Sequence, residues 1–239
     1  FINVYEETKS RAENLTAEEC KKNGLRLSIY RPSIVYGDSK TGRSTRFNAV
    51  YYPVKIVSFM KNLYDRDIRE QGGCKASEMG VRVDGNGALH MPIRVRVVEN
   101  GGLNLIPVDY FIRAFIAILE ECPDGGVFHI INPNSKKIED LIDYTKRFFN
   151  ITGLEPYRTE PSGTGMRNSL EMLFDKYLEV YGPYMRDTRL FDDGNARGIL
   201  IRKGVVCTDF DYKVFSRCIE YAVACKWGEK LFEMHSHKI

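Results

Sequence analysis

The chain has 239 residues, of which 43% are hydrophobic and 28% charged, a composition typical of globular proteins that excludes disordered, fibrous and collagen-like classes. Its 35 Lys and Arg against 32 Asp and Glu give a net charge of +3. This balance argues against a nucleic-acid partner, which would require a strongly basic surface. The apolar stretches fall short of the roughly 18 residues of a membrane span, and the polar first residues lack the apolar centre of a signal peptide.

Cysteine spacing indicates the redox state. The six cysteines form no close Cys-x-x-Cys pair and stand at Cys20, Cys74, Cys122, Cys207, Cys218 and Cys225. Scattered cysteines predict reduced thiols and a cytoplasmic protein. The spacing does not match a zinc site, so no metal is predicted.

The first element is predicted to be a helix. Asn3 and Glu6 resemble a capping pair at its start, and Gly24 ends a polar run with few breakers. From Leu25, apolar and polar residues alternate, and the run RPSIVYG continues to Gly37. This pattern predicts a strand that leads into a loop.

The next segment predicts a helix followed by irregular chain. Apolar residues recur at helical spacing over 47–60, where Pro53 should kink the helix or mark its true start. The polar, glycine-rich stretch 65–87 predicts a mobile excursion. Gly85 and Gly87 within it indicate a hairpin turn rather than a phosphate-binding loop, since strand-like residues follow them.

The middle of the chain alternates strand and helix. The sequence predicts a strand over 89–98, a cap at Asp109 for a helix over 111–121, a strand over 127–131, and a helix over 138–153. This alternation predicts an α/β fold.

Composition also predicts the domain organisation. Residues 155–168 are rich in Pro, Gly, Ser and Thr, which is typical of a linker. It would separate an α/β part, 1–154, from a mainly helical C-terminal subdomain, 169–239.

Tyr5 and Lys9 form a Tyr-x-x-x-Lys pattern, which a helix places on one face one turn apart. An ammonium group at that distance favours the phenolate of a tyrosine and suits it to general acid–base catalysis. The same pattern occurs in two other pairs, Tyr36–Lys40 and Tyr51–Lys55.

Context favours the Tyr5 pair among the three. It lies on a capped helix followed by a strand, whereas Gly37 interrupts the second pair and Pro53 the third. Without that context the pair would be interpreted as an exposed helix face.

Longer segments resemble a known family. FINVYEETKSRAENL, LRLSIYRPSIVYGDSKTGR, NLIPVDYFIRAFIAIL and FHIINP resemble, in order and spacing, the second half of the extended short-chain dehydrogenase/reductase family, over roughly residues 1–155. The strongest similarity is to its thioester reductase and fatty acyl-CoA reductase branch, also called male-sterility-like. The tail, with EMLFDKYLEVYGPYM, LFDDGNARGIL and CKWGEKLF, resembles more loosely the helical C-terminal domain of fatty acyl-CoA reductases.

The resemblance implies a Rossmann-like fold, an NAD or NADP cofactor, and roles for particular residues. Tyr5 would protonate the substrate oxygen and Lys9 would hold the nicotinamide ribose. Four residues at a strand end would frame the nicotinamide: Pro32, Ser33, Ile34 and Val35. The alternative for these four is a simple strand-to-loop turn.

The implied reaction is hydride transfer to an acyl thioester, giving an aldehyde or alcohol. Phe47, Val50 and Tyr51 on the apolar helix would line the substrate site, and Arg43 and Arg46 would bind a substrate phosphate. Two arginines in a polar loop are, however, more often merely solvated than bound to a ligand. Two other functions remain open: a nucleotide-sugar epimerase or dehydratase, and a non-catalytic binding module of the same fold.

The family's glycine-rich strand-turn-helix has no match here, and His90 stands where a third glycine after Gly85 and Gly87 belongs. The chain is therefore expected to be the C-terminal part of a longer enzyme. Alone, it should neither bind a dinucleotide nor turn over. The parallel sheet that contains the strand from Leu25 should expose an apolar edge, and the chain should hide this edge by self-association or by unusual strand pairing.

Overall fold

A computed structural model describes residues 1, 3–99, 101–158, 167–185 and 187–229. In chain order the elements are α1 (Val4–Lys22), β1 (Ser28–Pro32), β2 (Ile34–Tyr36), α2 (Tyr51–Glu70), α3 (Cys74–Glu78), β3 (Arg82–Val83), β4 (Leu89–Arg96), β5 (Gly102–Leu103), β6 (Leu105–Pro107), α4 (Val108–Glu121), β7 (Gly126–Ile130), β8 (Lys136–Lys137), α5 (Ile138–Phe149), β9 (Ile151–Tyr157), α6 (Ser169–Leu178), α7 (Gly182–Met185), α8 (Gly194–Arg202) and α9 (Tyr212–Ala224). The alternation as far as β9 confirms the α/β class.

Parallel strand pairs organise the fold. β1 pairs with β7, and β2 pairs with β6, both in parallel. β4 lies between antiparallel β3 and parallel β9, while β5 and β8 form a short antiparallel pair. Ser33 separates β1 from β2, and its N–H donates to the Ile130 carbonyl at 3.0 Å. Within the described residues the other edge of β1 has no strand partner; whether the chain self-associates there stays a prediction.

Polar contacts hold α1 in place. The Asn3 side chain caps the helix by accepting from the Glu6 N–H at 2.9 Å, as the sequence predicts. None of the helix residues is buried. Ion pairs join Glu6 to Arg189 and Glu13 to Arg31. The position of α1 therefore depends on charged groups rather than on apolar packing.

The prediction of a mobile excursion over 65–87 is wrong. α2 continues to Glu70, and α3 and β3 follow it. Asp67 connects two of these elements, because it is only 3% exposed and its carboxylate accepts from the Ala76 N–H at 2.9 Å. This buried carboxylate ties α2 to α3. Pro53 lies in the first turn of α2, where its missing N–H costs no helical hydrogen bond.

The hairpin prediction at Gly85 and Gly87 is confirmed. β3 and β4 are antiparallel neighbours on either side of that turn. One oxygen of Asp84 accepts from the N–H groups of Asn86 and Ala88 at 2.9 and 3.0 Å. The two glycines thus belong to a turn closed by an aspartate.

Asp109 is not the cap of α4. The helix begins one residue before it, and Pro107 occupies the cap position. Both carboxylate oxygens of Asp109 accept from Ser39, one from its N–H at 2.9 Å and one from its hydroxyl at 3.0 Å. Asp109 therefore fixes the loop after β2 to the start of α4.

The helix predicted over 138–153 is also too long. α5 ends at Phe149, Asn150 takes a left-handed conformation, and β9 follows. β9 continues to Tyr157 and so occupies the first residues of the predicted linker 155–168. Residues 159–166 of that linker lie outside the described residues.

Three apolar cores stabilise the described part of the fold. One lies among α2, β4, α5, β9 and α6. A second joins the start of α2 to β2 and α9, and a third joins α4 and β7 to α8. The C-terminal helices α6, α9 and α8 thus each contribute to a different core.

Candidate active site

A cleft of about 700 Å³ opens where β1 and β7 end and where β2 and β6 begin. The carboxyl ends of parallel strands, here those of β1 and β7, are where ligands bind in open α/β folds. Its walls come from the start of α1, the strand ends, the start of α2 and a C-terminal segment. The residues that line the cleft include Tyr5, Glu6, Pro32, Ser33, Ile34, Val35, Val50, Pro53, Leu103, Tyr181, Tyr184, Met185, Asp187, Arg189, Leu190 and Phe191.

Tyr5 stands at the open side of this cleft. Its side chain is 64% exposed and belongs to the lining. Lys9, one helical turn later, places Nζ 5.6 Å from the centroid of the Tyr5 ring. The ammonium group and the phenol therefore share one face of α1, as the spacing predicts.

The other two Tyr-x-x-x-Lys tyrosines are buried. Tyr36 and Tyr51 are each 2% exposed, and burial raises the pKa of each above its ordinary value. The Tyr51 hydroxyl accepts from the Gly37 N–H at 3.0 Å, whereas the Tyr36 hydroxyl has no hydrogen-bond partner among the described residues. A raised pKa disfavours the phenolate that acid–base catalysis would form. Of the three tyrosines, Tyr5 is the one among the described cleft residues.

The structure brings five predicted binding residues into the same cleft. They are Pro32, Ser33, Ile34, Val35 and Val50. The hydroxyl of Ser33 is buried and has no hydrogen-bond partner among the described residues. This leaves a polar atom at the strand end whose hydrogen-bonding capacity is unused.

The remaining predicted substrate residues do not belong to the cleft lining. Phe47 and Tyr51 pack edge to face at 5.4 Å, and the Phe47 ring also contacts Trp227. They contribute to the core beneath α9. Arg43 and Arg46 lie on an exposed loop, where both residues use backbone atoms to stabilise turns.

Residues from 181–185 and 187–191 form the opposite wall. Arg189 donates to Glu6 at 2.8 and 3.1 Å and to Asp187 at 2.6 and 2.9 Å. Hydrogen bonds from Arg189 lower the pKa of Asp187. The Asn3 amide donates to the Tyr184 hydroxyl at 2.7 Å. These contacts join the start of α1 to residues some 180 positions later, and the local sequence carries no signal for them.

The described part of the chain contains neither a cluster of metal-ligating side chains nor a helix suited to span a membrane. Across these residues, His, Cys, Asp and Glu side chains do not cluster in threes that could hold a metal ion. The six cysteines are free thiols. The helices in these residues are too short or too polar for a bilayer span.

Part of the chain matches a known protein family. Residues 1–115 match the sequence profile of a family described as male sterility protein. This match confirms the resemblance to the extended short-chain dehydrogenase/reductase family. No curated protein sequence matches the chain.

Solved structures share the fold. The terminal R domain from the myxalamid PKS-NRPS biosynthetic pathway is 19% identical with a TM-score of 0.58, over 88% of this chain and 48% of that one. A thiolation-reductase di-domain from an archaeal non-ribosomal peptide synthetase is 14% identical with a TM-score of 0.53, over 88% of this chain and 39% of that one. The chain thus spans less than half the length of these two structures, and it shares their Rossmann-like α/β fold.

Proposed function

We propose that the protein containing this cleft reduces an acyl thioester with NAD(P)H, giving an aldehyde or an alcohol. The observation that carries the proposal is that Tyr5, the strand end Pro32–Val35 and the start of α2 face one cavity of about 700 Å³. Its support comes from the male sterility match over residues 1–115 and from the fold shared with two reductase domains.

Tyr5 is the general acid in this proposal. Its phenol donates a proton to the substrate oxygen as negative charge develops there, which typically accelerates a reaction 10²-fold to 10⁴-fold. Lys9, 5.6 Å from the ring centroid, stabilises the resulting phenolate by its positive charge. Tyr5 is exposed and belongs to the cleft lining, so its phenol is open to a ligand in the cleft.

A nicotinamide dinucleotide supplies the hydride when it is bound. The cleft residues fit its nicotinamide end, because Ser33 offers a buried hydroxyl that has no hydrogen-bond partner within the described part of the chain. A hydrogen bond from a ligand amide would satisfy that hydroxyl, which is costly to leave unpaired. Pro32, Ile34 and Val35 add apolar surface beside it, and Lys9 would hold the ribose. NAD and NADP differ at the 2′ position of the adenosine ribose. The residues named here would contact the nicotinamide end, so the proposal covers both cofactors.

The test uses the full-length protein with an acyl N-acetylcysteamine thioester, and follows the consumption of NADH and NADPH. Tyr5→Phe should lower kcat/KM by about 10²-fold to 10⁴-fold with the fold unchanged. Tyr36→Phe is the matched control, because it removes a buried hydroxyl that has no hydrogen-bond partner among the described residues and is not part of the cleft lining. Its activity should stay at the wild-type level.

Each other outcome has a definite meaning. Full activity in Tyr5→Phe would refute the assignment of the acid. Conversion of a UDP-sugar without net consumption of cofactor would support a nucleotide-sugar epimerase or dehydratase instead. Binding of cofactor without turnover of either substrate would support a non-catalytic module.

A further inference from the structure

A second cavity lies directly behind the start of α2. It has a volume of about 60 Å³ and is enclosed by α2, β4, α5, β9 and α6. Its lining residues are apolar except for Thr145, whose hydroxyl donates to the Leu141 carbonyl at 2.7 Å. Val57, Leu154 and Phe174 in its walls are only 2 to 3% exposed. The cavity is therefore apolar and without an unsatisfied side-chain group.

This cavity and the cleft at Tyr5 share one wall. Val50, Pro53, Leu103 and Met185 line both volumes. Met185 is partly buried, and an unbranched thioether side chain adapts its shape more easily than a branched one. The cleft and the cavity are therefore neighbours that share these four residues.

An apolar cavity of this kind excludes water but accepts apolar ligand atoms, because it offers no hydrogen bonds to a water molecule. Leaving it empty costs stability in proportion to its volume. A volume of 60 Å³ accommodates roughly two methylene groups, if each takes about the 30 Å³ of a water molecule. The small volume and the apolar lining suit the end of an alkyl chain better than a polar group.

We propose that this cavity receives the end of a straight acyl chain whose thioester lies in the cleft beside Tyr5. The chain passes between Val50 and Met185, and the cavity sets the preferred chain length. This inference rests on the proposed function, since it takes an acyl thioester as the ligand. It goes further by naming the residues that determine the preferred length of the acyl chain.

The test measures binding by calorimetry, without cofactor and without turnover, on the same protein that is used for the activity assay. The probes are N-acetylcysteamine thioesters of straight acyl chains from two to twelve carbons. Affinity should rise about fourfold for each methylene that leaves water, until the cavity is full. Val57→Ile adds one methylene inside the cavity and should lower the affinity for the longer chains about fourfold. Binding of the acetyl thioester should not change.

A matched control makes the same substitution outside the cavity. Val83 lies on β3 and is 48% exposed, so Val83→Ile should leave the whole series unchanged. Val57→Phe, checked for folding by circular dichroism, should abolish the dependence on chain length. Val57→Ile conserves most of the packing, so the result stands even where Val57→Phe does not fold.

The outcomes separate this inference from the proposed function. Equal affinity for all chain lengths, or a series that Val57→Ile does not alter, would overturn the chain-length assignment, even if the acetyl thioester is reduced. Chain-length-dependent binding that Val57→Ile shortens would support the assignment even if no NAD(P)H is consumed. In that second case only the proposed reduction would fail.

Discussion

Replacing Glu171 by alanine should destabilise the fold by about 2 to 4 kcal/mol. The Glu171 side chain is 2% exposed, at the first turn of α6. Its carboxylate accepts from the Arg94 backbone N–H at 3.0 Å and from the Arg94 guanidinium at 2.5 and 2.8 Å. It also accepts from the Asn168 N–H at 3.1 Å, which completes a capping box. One carboxylate thus ties α6 to β4.

Two losses make up the estimate. Disrupting the capping box costs about 1 kcal/mol, and losing hydrogen bonds that involve a charged group costs about 1.5 to 3 kcal/mol. The sum stays near the lower end of the 3 to 5 kcal/mol range for broken buried ion pairs. The reason is that the Arg94 side chain is 36% exposed and can turn to water. For a chain of this length, about 2 to 4 kcal/mol lowers Tm by roughly 4 to 16 °C.

The pH dependence provides an independent check. Hydrogen bonds from Arg94 lower the pKa of Glu171 below its ordinary 4.5. A carboxylate with a lowered pKa stabilises the fold fully above its unfolded pKa and loses that contribution as the pH falls through the folded pKa. The difference in stability between wild type and Glu171→Ala should therefore be full at neutral pH and shrink below about pH 4.

Urea unfolding followed by circular dichroism, together with thermal melts, measures both effects. Glu171→Gln keeps the shape and one acceptor oxygen, so it should lose about half as much stability as Glu171→Ala. Its difference from wild type should also narrow in acid. A Tm for Glu171→Ala within about 1 °C of wild type, or a difference that grows as the pH falls, would show that this carboxylate does not hold α6 to β4.

Two further predictions concern the paired lysines and the thiols. In the full-length enzyme, Lys9→Ala should lower kcat/KM at least about tenfold by weakening the hold on the cofactor, whereas Lys40→Ala and Lys55→Ala should stay near wild type. A comparable loss from either of those two would show that the wrong pair was chosen. Cys74 is exposed, whereas burial raises the pKa of Cys218 to about 11. At about pH 8 a thiol reagent should therefore label Cys74 first and Cys218 only on unfolding, as peptide mapping by mass spectrometry would show.

Helices of the chain were predictable where their signals are local. The capping of α1 depends on Asn3 and Glu6, which are three residues apart and in direct contact. Apolar spacing likewise predicts α4 and α5, although their ends differ by a few residues from the prediction. Such signals lie within a single turn of chain and do not depend on the rest of the fold.

β9 was not predicted from the sequence, because two of its residues are of types that disfavour a strand. Gly153 and Pro156 both lie within it, and Pro is tolerated there because β9 is at the edge of its sheet. Gly153 has φ of +82°, and a Cβ at this position would lie 2.7 Å from the His90 ring. It stands opposite the irregular register between His90 and Ile93 of β4. Only the partner strand therefore explains the glycine.

The cleft itself was only half predictable, for the same reason. The strand end Pro32–Val35 and the tyrosine at position 5 are recognisable in the sequence, because each belongs to a short continuous segment. The opposite wall depends on Arg189 reaching Glu6 and on Tyr184 reaching Asn3. These are polar contacts between exposed or half-exposed side chains. The spacing of apolar residues in the sequence does not indicate such contacts.

Those contacts also determine how firmly Tyr5 is held. α1 has no buried residue, so its position depends on the pairs Glu6–Arg189 and Glu13–Arg31 and on the contact between Asn3 and Tyr184. Exposed ion pairs each contribute about 0 to 1 kcal/mol, which is enough to orient a helix but little to hold it against a competing contact. Because Asn3 and Glu6 flank Tyr5 within one turn, we expect a shift of Tyr184 or Arg189 to move the start of α1 and with it the phenol. The position of Tyr5, the proposed general acid, therefore depends on contacts between α1 and the opposite wall of the cleft.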